Sequence, residues 1–558
     1  MPALLKKIPP RYIPYGFIVL YFLLNIFQAA FTGLTSDEGY YWYLSTHLDW
    51  GYYDHPPMLG FLINIGRHLF SGELGVRFAN VVLMSVALVF LFRLLEKAGK
   101  LQSHLYLIIL SLPLFNYISI VVFPDTPLVA FSMIYLYFYK RFLEKNDFVS
   151  TLIMGITLSA MLYSKYHGIL MVLFVVLSNL ALLRNKKFLA SLFITALLFV
   201  PHLYWQYVHD FVTIRYQLFG RSNAFDINFV TEYPSVQFLV LAPALVFVPF
   251  IYKTKDLFER ALKFIVVGTL LFFLLATLKG YVQFHWTSIV LCPLIILGYK
   301  YYTTKKKKVF FWMTIPILLF VFFLRAYLAF KILPVNTFNH VDYFHGRNLW
   351  AQDIENVAHE RPVVFEHQLR EAPLYGFYSG KQSVAMYGND DKKTQYQIWN
   401  VEDRLQGKDV FIIKDGRNKN CSTLATRMGK EIYYIPYSNF SSYQNIHIFL
   451  IGSPAWSDSG VHVSLEIANH RDRPLLFDKN NFGNNPDLVC NIRFAEAKRD
   501  TTFAIRSLCA TDSISPHSSR IFEGIIPWHR KEKNTKTIAF GFNDFVFQSS
   551  INSKKYSF

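Results

Sequence analysis

The sequence has few charged residues, few cysteines and no recognisable nucleotide-binding motif. Only 17% of its 558 residues are charged, whereas a soluble globular protein carries about 25%. Its four cysteines form no CxxC pair and no Cys/His pattern with metal-ligand spacing. The chain also lacks a glycine-rich phosphate loop, an internal repeat and a low-complexity linker. These absences argue against a soluble enzyme, a cysteine-bound metal centre and a nucleotide-dependent enzyme.

Apolar residues are abundant instead, at 53% of the chain, with 18% aromatic. A membrane-spanning helix needs about 20 mostly apolar residues, and such segments fill the first part of the chain. The first of them is too long for the core of a signal peptide, so we interpret it as a retained helix. The sequence therefore predicts a polytopic α-helical membrane protein. The eleven predicted spans are Tyr12–Phe31, Arg77–Phe92, Leu105–Val122, Pro127–Tyr139, Phe148–Tyr163, Gly168–Leu183, Phe188–Tyr204, Val236–Tyr252, Phe264–Leu278, Trp286–Tyr299 and Val309–Phe330.

The positive charge of the chain gives the direction of these spans. The net charge is +18, because 56 Lys and Arg outnumber 38 Asp and Glu. Such an excess can indicate nucleic-acid binding, but here the bases collect in alternate loops, as at Lys140–Arg141, Arg184–Lys187 and Lys305–Lys308. Cytoplasmic loops of membrane proteins have this composition. We therefore expect a cytoplasmic N-terminus, an extracytoplasmic C-terminal part and no nucleic-acid partner.

The chain after the last span has the composition of soluble protein. We predict a transmembrane domain over residues 1–333, an extracytoplasmic α/β domain over 334–447 and an extracytoplasmic β-rich, sandwich-like domain over 448–558. The α/β domain has one predicted helix, Asn348–His359, and strands at Pro362–Phe365, Asp409–Ile413 and Ile432–Ile435. Predicted strands of the last domain are Val461–Ile467, Cys490–Ala495, Thr501–Ile505, Arg520–Ile526 and Thr535–Phe542.

Two adjacent acids, Asp37 and Glu38, follow the first span in a loop that we expect to face outside. Ionisable residues near the membrane are functional candidates, so one interpretation is a general base at the membrane surface. The other is a solvated acidic turn. The same loop continues to Tyr53 and His55, among further aromatic residues.

The later outward loops carry more polar residues. Asp125 is either a functional acid or the cap of a tight turn. Lys165 and His167 lie between two apolar helices, where they either bind an anion such as phosphate or snorkel to the interface. Arg325 lies inside the last span and needs an anionic partner or an aqueous cavity. The loop before the tenth span adds Lys279, Tyr281 and His285.

Together these motifs resemble the protein O-mannosyltransferase and lipid A aminoarabinose transferase group of GT-C glycosyltransferases. The resemblance covers roughly residues 12 to 330 and is carried by Asp37-Glu38, Tyr53–Pro57, Phe123–Leu128, Lys165–Gly168 and Lys279–Tyr281. Eukaryotic members have a large insertion between late spans, whereas the longest loop here is about thirty residues, too short for a domain. The bacterial branch is therefore more similar. The β-rich tail after residue 448 departs from the family pattern.

The resemblance implies an inverting transferase that moves a hexose or pentose from a polyprenyl-phosphate carrier. Its acceptor would be a hydroxyl or phosphate of lipid A, an envelope glycan or a protein, outside the bacterial inner membrane. Asp37 would be the base, with Glu38 as the alternative. Lys165 would stabilise the leaving phosphate. The other expected substrate-binding residues are Asp125, His55 and Tyr53 for the sugar, His167, Lys279 and Arg325 behind Lys165, and Tyr281 with His285.

The implied chemistry requires no cofactor, although a divalent metal between Asp125 and His285 stays open. Two other functions compete. A transporter or flippase of lipid-linked saccharides would show two corresponding halves with broken helices, and the sequence shows no such pairing. A non-catalytic envelope scaffold would be indifferent to Asp37→Asn.

Overall fold

Helices form the first part of the chain and mainly strands the second. The computed structural model describes residues 12–96, 101–220, 225–304, 307–333, 344–386, 394–417, 420–477, 487–494, 501–507, 513–528, 535–543 and 552–556. The chain divides into two compact units, residues 1–347 and 348–558. The second unit contains the predicted β-rich domain and most of the predicted α/β domain. The divisions at residues 333 and 447 stay predictions.

Every predicted span coincides with helix in the first unit. The α-helices of its described residues are α1 Ile13–Phe31, α2 Ser36–Ser45, α3 Met58–Leu69, α4 Gly72–Glu96, α5 Ser103–Ser111, α6 Pro113–Ile118, α7 Asp125–Lys145, α8 Phe148–Ser164, α9 Gly168–Ser178, α10 Lys186–Val208, α11 Val212–Arg215, α12 Ile227–Val240, α13 Pro243–Val246, α14 Val248–Ile251, α15 Leu257–Ala276, α16 Leu291–Thr304 and α17 Lys307–Ala329.

Several of these helices are long and apolar enough to cross a membrane. By length and composition, the described residues contain four: Ile13–Phe31, Gly72–Glu96, Lys186–Val208 and Lys308–Ala329. A bent pair, α12 with Pro243–Ile251, turns by 103° and gives a fifth. The chain is therefore a multi-pass membrane protein. The count of eleven crossings stays a prediction.

Prolines explain two departures from straight spans. Pro113 begins α6 directly after a break at Leu112, because proline fits the first turn of a helix but cannot continue one. Pro243 likewise begins α13 after Ala242, whose backbone has a positive φ of 63°. The predicted spans Leu105–Val122 and Val236–Tyr252 are therefore each built from more than one helix.

The basic loops meet one another at one end of the helices. Lys140, at the end of α7, lies 3.2 Å from Asp256 before α15. Lys300, in α16, lies 2.6 Å from Glu259 in the first turn of α15. The connections after α7, before α15 and after α16 are thus in direct contact. The charge pattern predicts that all three lie on the cytoplasmic side, and these contacts agree with that prediction.

The second unit begins with a mixed sheet. Three helices accompany it: α18 Arg347–Ala358, α19 Glu371–Ser379 and α20 Gln395–Ile398. The strand order is β2-β1-β3-β5-β4, and β1 pairs parallel with both β2 and β3. All residues of β1 and β3 are buried, whereas no residue of β4, a strand at the edge of the sheet, is buried. The strands are β1 Val363–Glu366, β2 Ser383–Met386, β3 Val410–Lys414, β4 Ser422–Ala425 and β5 Glu431–Tyr437.

Antiparallel strands form the rest of this unit. A four-stranded sheet has the order β11-β13-β7-β6, and a three-stranded sheet has the order β10-β9-β14. Residues of both sheets, among them Val463, Leu465, Ile492 and Phe540, share one buried apolar cluster, as in a sandwich. The strands are β6 Ile446–Ser457, β7 Gly460–Asn469, β8 Leu475–Leu476, β9 Asp487–Phe494, β10 Thr501–Ala504, β11 Arg506–Ser507, β12 Ser513–Ile514, β13 Ser518–Ile526 and β14 Thr535–Asn543.

Candidate active site

The two adjacent acids lie on the first turn of a helix, where we expected a loop. Thr35 is the N-cap of α2: its hydroxyl accepts from the Glu38 backbone N–H, and the Glu38 carboxylate accepts from the Thr35 N–H at 3.0 Å. This capping box satisfies two backbone donors at once. It also fixes Glu38 on the inner face of α2.

Glu38 is fully buried and forms an ion pair with Arg77 of α4. The Arg77 guanidinium donates to both carboxylate oxygens, at 2.7 Å each. Glu38 Oε1 also accepts from the Val122 N–H at 3.1 Å, in the connection between α6 and α7. Both oxygens of Glu38 are therefore engaged, so acting as a base would require it to leave this ion pair.

Asp37 has a different environment from Glu38. Successive helical residues are about 100° apart around the axis, so the two side chains diverge, and Asp37 is half-buried rather than enclosed. Both carboxylates lie close enough to the Tyr117 hydroxyl to interact with it electrostatically. Of the two carboxylates, that of Asp37 is therefore the more exposed.

Asp125 is the centre of a second polar cluster, at the N-terminus of α7. It is fully buried, and Lys165 Nζ lies 2.8 and 3.0 Å from its two oxygens. His285 Nδ1 lies 2.9 Å from Oδ2, and the Ser288 hydroxyl donates to Oδ1 at 2.7 Å. The structure thus brings together three residues that the sequence singled out in separate loops, Asp125, Lys165 and His285. Ser288 is an addition that sequence reasoning missed.

Aromatic rings connect the two clusters. Phe123 stacks on the His285 ring with centroids 5.0 Å apart, and Tyr117 lies 5.7 Å from both Phe123 and Phe284. In the same segment, the Val122 N–H donates to Glu38 of α2. The acidic helix α2 and the Asp125 cluster therefore share one wall, formed by residues 117–125 and 284–288.

Aromatic side chains also pack around Lys165 and His167. Lys165 Nζ lies 5.9 Å from the ring centroid of Trp286, a distance at which a cation–π interaction contributes. His167 packs against the same Trp286 ring and against Phe273, with centroids 5.6 and 4.9 Å away. Lys165 and His167 are therefore positioned side by side around one indole.

Hydrogen bonds fix the first outward loop to the later ones. His202 Nδ1 lies 2.6 Å from the Trp50 carbonyl, and His202 Nε2 lies 2.7 Å from the Tyr166 hydroxyl. Because Nδ1 faces a carbonyl, it carries the ring proton and Nε2 accepts from Tyr166. Thr213 donates to the Tyr52 carbonyl at 2.7 Å. Segments 50–52, 166, 202 and 213 therefore lie at the same end of the helices.

Two predicted sugar-binding residues lie in this first loop. His55 packs edge-on against Tyr41 with centroids 5.6 Å apart, and its Nε2 is 3.7 Å from Asp54 Oδ2. Tyr53 packs on Tyr216 at 4.9 Å. Both side chains are half-buried. These contacts join the loop to α2 and to the segment that follows α11.

The three remaining predicted residues lie apart from the Asp125 cluster in their contacts. Lys279 is exposed, and Tyr281, 42% exposed, packs edge-on against Phe229. Arg325 is 6% exposed and donates to the Asn25 side-chain oxygen at 2.7 Å. This hydrogen-bond partner is neutral, and the predicted alternatives for Arg325, an anionic partner or an aqueous cavity, stay predictions.

The residues do not fit the metal site that the sequence left open. The described part of the chain contains no group of three or more His, Cys, Asp and Glu side chains that could hold a metal. An ammonium group already lies on both oxygens of Asp125. A cation between Asp125 and His285 would meet the charge of Lys165.

Comparison with known proteins matches a part of the chain that contains Arg77, Asp125 and Lys165. Residues 54–205 match the family described as dolichyl-phosphate-mannose-protein mannosyltransferase. Over 223 residues the chain is 25% identical to lipid A galacturonosyltransferase RgtD of Rhizobium johnstonii, covering 38% of this chain and 47% of that protein. The chain thus spans about half the length of this curated relative.

The fold is similar to that of a solved crystal structure. ArnT from Cupriavidus metallidurans, in its apo state, has a TM-score of 0.57 at 10% identity, covering 75% of this chain and 97% of that chain. The chain therefore has the GT-C fold. ArnT bound to undecaprenyl phosphate gives a TM-score of 0.55 at 11% identity, with the same coverage. The resemblance to GT-C transferases drawn from the sequence motifs is confirmed.

Proposed function

We propose that this GT-C protein is an inverting glycosyltransferase. It moves a sugar from a polyprenyl-phosphate carrier to a hydroxyl or phosphate acceptor on the extracytoplasmic face of the bacterial inner membrane. One observation carries the proposal: the helix with Asp37 and the cluster with Lys165 adjoin one wall, through the contacts of residues 117–125. Transfer from a phosphate carrier needs both a base and fixed cations in one place.

Asp37 is the proposed base. Its carboxylate is half-buried and lies on the first turn of α2, where the positive end of the helix dipole favours a negative side chain. Glu38 is the less suitable alternative because Arg77 and two backbone N–H groups engage it. The reacting acceptor hydroxyl would therefore approach from the side of α2 that Asp37 occupies.

Lys165 is the proposed partner of the leaving phosphate. An ammonium group has three donors, so it can hold Asp125 and a phosphate oxygen together. Asp125 has both oxygens engaged by Lys165, His285 and Ser288. It is therefore better suited to positioning these donors in advance than to binding the sugar. Such preorganised donors are the main source of electrostatic stabilisation in transferases of charged groups.

The sugar would lie between these two groups, near Tyr53 and His55, with His167 beside the phosphate. Lys279 and Tyr281 have exposed side chains, and we propose them as further substrate contacts. Arg325 contacts α1 through Asn25, and we assign it no direct contact with the phosphate. The carrier tail would follow the apolar helix surfaces into the bilayer.

The acceptor is proposed from the relative whose name specifies one. RgtD is a lipid A galacturonosyltransferase, and we extend to this chain an acceptor in lipid A or another envelope glycan, with a protein acceptor as the alternative. The competing flippase function would need two halves with broken helices. Two predicted spans, Leu105–Val122 and Val236–Tyr252, are each built from more than one helix. The charged residues Asp37, Asp125 and Lys165 lie at helix ends and not at these breaks, which favours the transferase over the flippase.

A transfer assay tests the proposal. The purified protein would be incubated with labelled polyprenyl-phosphate sugars and envelope extract, and mass spectrometry would identify any molecule that gains a hexose, a pentose or an amino sugar. We expect one acceptor class to gain one sugar, with loss of label from the carrier. Absence of transfer from every donor, with the protein folded and correctly inserted, would refute the proposed function.

A further inference from the structure

Arg77 is a fully buried arginine beneath the acidic helix α2. Besides its two bonds to Glu38, it donates to the carbonyl oxygens of Ala29 at 3.1 Å and Gly33 at 3.0 Å, and to that of Thr32. These carbonyls lie at and after the end of α1, where helix carbonyls lack partners within the helix. The Arg77 guanidinium thus caps the C-terminal carbonyls of α1 and is also hydrogen-bonded to the first turn of α2.

Glu38 extends this connection to a third segment. Its carboxylate accepts from the Thr35 N–H and from the Val122 N–H, at 3.0 and 3.1 Å. Val122 lies three residues before Asp125. The Arg77–Glu38 pair therefore joins the end of α1, the first turn of α2 and the segment that leads to the Asp125 cluster.

Stability alone does not account for such a pair. Removing charges from water is costly, and a buried ion pair replaced by apolar groups of similar volume is often no less stable. What a buried pair with this many directed hydrogen bonds does provide is a single geometry. Here the geometry it fixes is the rotation of the first turn of α2, on which Asp37 lies.

We propose that Arg77 is a positioning residue for Asp37. Acting through Glu38, it sets the first turn of α2 so that Asp37 faces residues 117–125 and the phosphate-binding cluster beyond them. This inference rests on the proposed function for the role of Asp37. Since a misplacement of about 1 Å can cost about 100-fold in rate, loss of Arg77 should act on the chemical step more than on donor binding.

The first test compares three variants by kinetics and thermal unfolding. Arg77→Met should lower kcat by about 100-fold and leave the KM for the donor within about threefold of wild type. Arg77→Lys keeps the charge but not the bidentate fork, so its kcat should be intermediate. Arg77→Met/Glu38→Leu removes both buried charges and should unfold near the wild-type temperature, yet keep the low kcat.

The double variant separates positioning from structure. If Arg77 only stabilised the fold, activity would return together with the melting temperature, and that result would overturn the inference. Wild-type kcat in a folded Arg77→Met protein would do the same.

A second readout does not depend on the activity. Asp37→Cys is placed in a background whose four native cysteines are alanine, and its labelling rate with a maleimide is compared with and without Arg77→Met/Glu38→Leu. We expect faster labelling when the pair is absent, because the turn is released. Equal labelling rates would overturn the positioning role of Arg77. This outcome can be read even if the wild-type protein transfers no sugar, because absence of transfer refutes the proposed function and not the positioning role.

Discussion

The ion pair between Asp125 and Lys165 gives the most quantitative prediction. Asp125 is fully buried and Lys165 is 8% exposed, so neither charge is well solvated. Changing Lys165 to Met leaves a buried carboxylate whose remaining side-chain partners among the described residues are His285 and Ser288. Changing Asp125 to Asn removes the carboxylate that faces the buried ammonium group. Each single change should lower the free energy of unfolding by about 3–5 kcal/mol, the usual cost of breaking a buried pair.

The double variant Asp125→Asn/Lys165→Met should be more stable than either single variant. It leaves no uncompensated charge, and replacement of a buried pair by neutral groups is often tolerated. The coupling free energy in the double-mutant cycle should therefore be at least about 3 kcal/mol. The measurement is chemical or thermal unfolding of the full chain in detergent.

A solvent-exposed pair supplies the control. Lys140 lies 3.2 Å from Asp256, with side chains 25% and 42% exposed, so Lys140→Met should cost at most about 1 kcal/mol. Single variants at Asp125 and Lys165 that unfold like wild type, or a cycle with no coupling, would refute the assignment of this pair as a buried, preorganised site.

Three further predictions concern other parts of the chain. Burial raises the pKa of Glu402 from 4.5 to about 7, so folding favours its protonated form. The free energy of unfolding should therefore fall by roughly 3 kcal/mol as the pH rises through that range. Glu402→Gln should remove this part of the pH dependence of thermal unfolding, and an unchanged dependence would contradict the cause. A Cβ on Gly51 would overlap the Trp205 indole, so Gly51→Ala should lower the free energy of unfolding by about 1–3 kcal/mol. Adding Trp205→Phe to Gly51→Ala should restore most of the lost stability. Equal melting temperatures of wild type and Gly51→Ala would argue against this contact. Single cysteines at Asp210 and Glu144, in a cysteine-free background, should react with a membrane-impermeant maleimide outside and only after permeabilisation, respectively, and the reverse result would invert the proposed orientation.

The helices could largely be predicted from the sequence, because a long apolar segment in a membrane must satisfy its backbone hydrogen bonds internally, and a helix does so. The prediction failed between the spans. The region from Thr35 to Leu69 was expected to begin as a loop, but it forms α2 and α3. A local signal was present, since Thr35 and Glu38 have the spacing of a capping box.

The members of the site could be predicted better than their partners. Asp125, Lys165 and His285 stood out as polar residues in apolar surroundings, and the structure brings them into contact. Arg77 was predicted only as the first residue of a span. Its bond to Glu38 joins residues 39 positions apart, and a contact of this kind depends on helix packing, which no local pattern specifies.

The predicted strands of the C-terminal part coincide with observed strands, because alternation of apolar and polar residues is a local property. Their order is not local. The five-stranded sheet places β1 between β2 and β3 and pairs all three in parallel. The long strand β6, Ile446–Ser457, was not predicted, and most of its second half is exposed.

The transfer rate of Asp37→Asn tests the central claim most directly. The change removes the proposed base while keeping the size of the side chain, so single-turnover transfer should slow by about 100-fold or more, with donor affinity and melting temperature as in wild type. Asp210→Asn, at an exposed acid of another outward loop whose positive φ suits asparagine, should transfer normally. Wild-type transfer by a correctly folded Asp37→Asn protein would contradict the account.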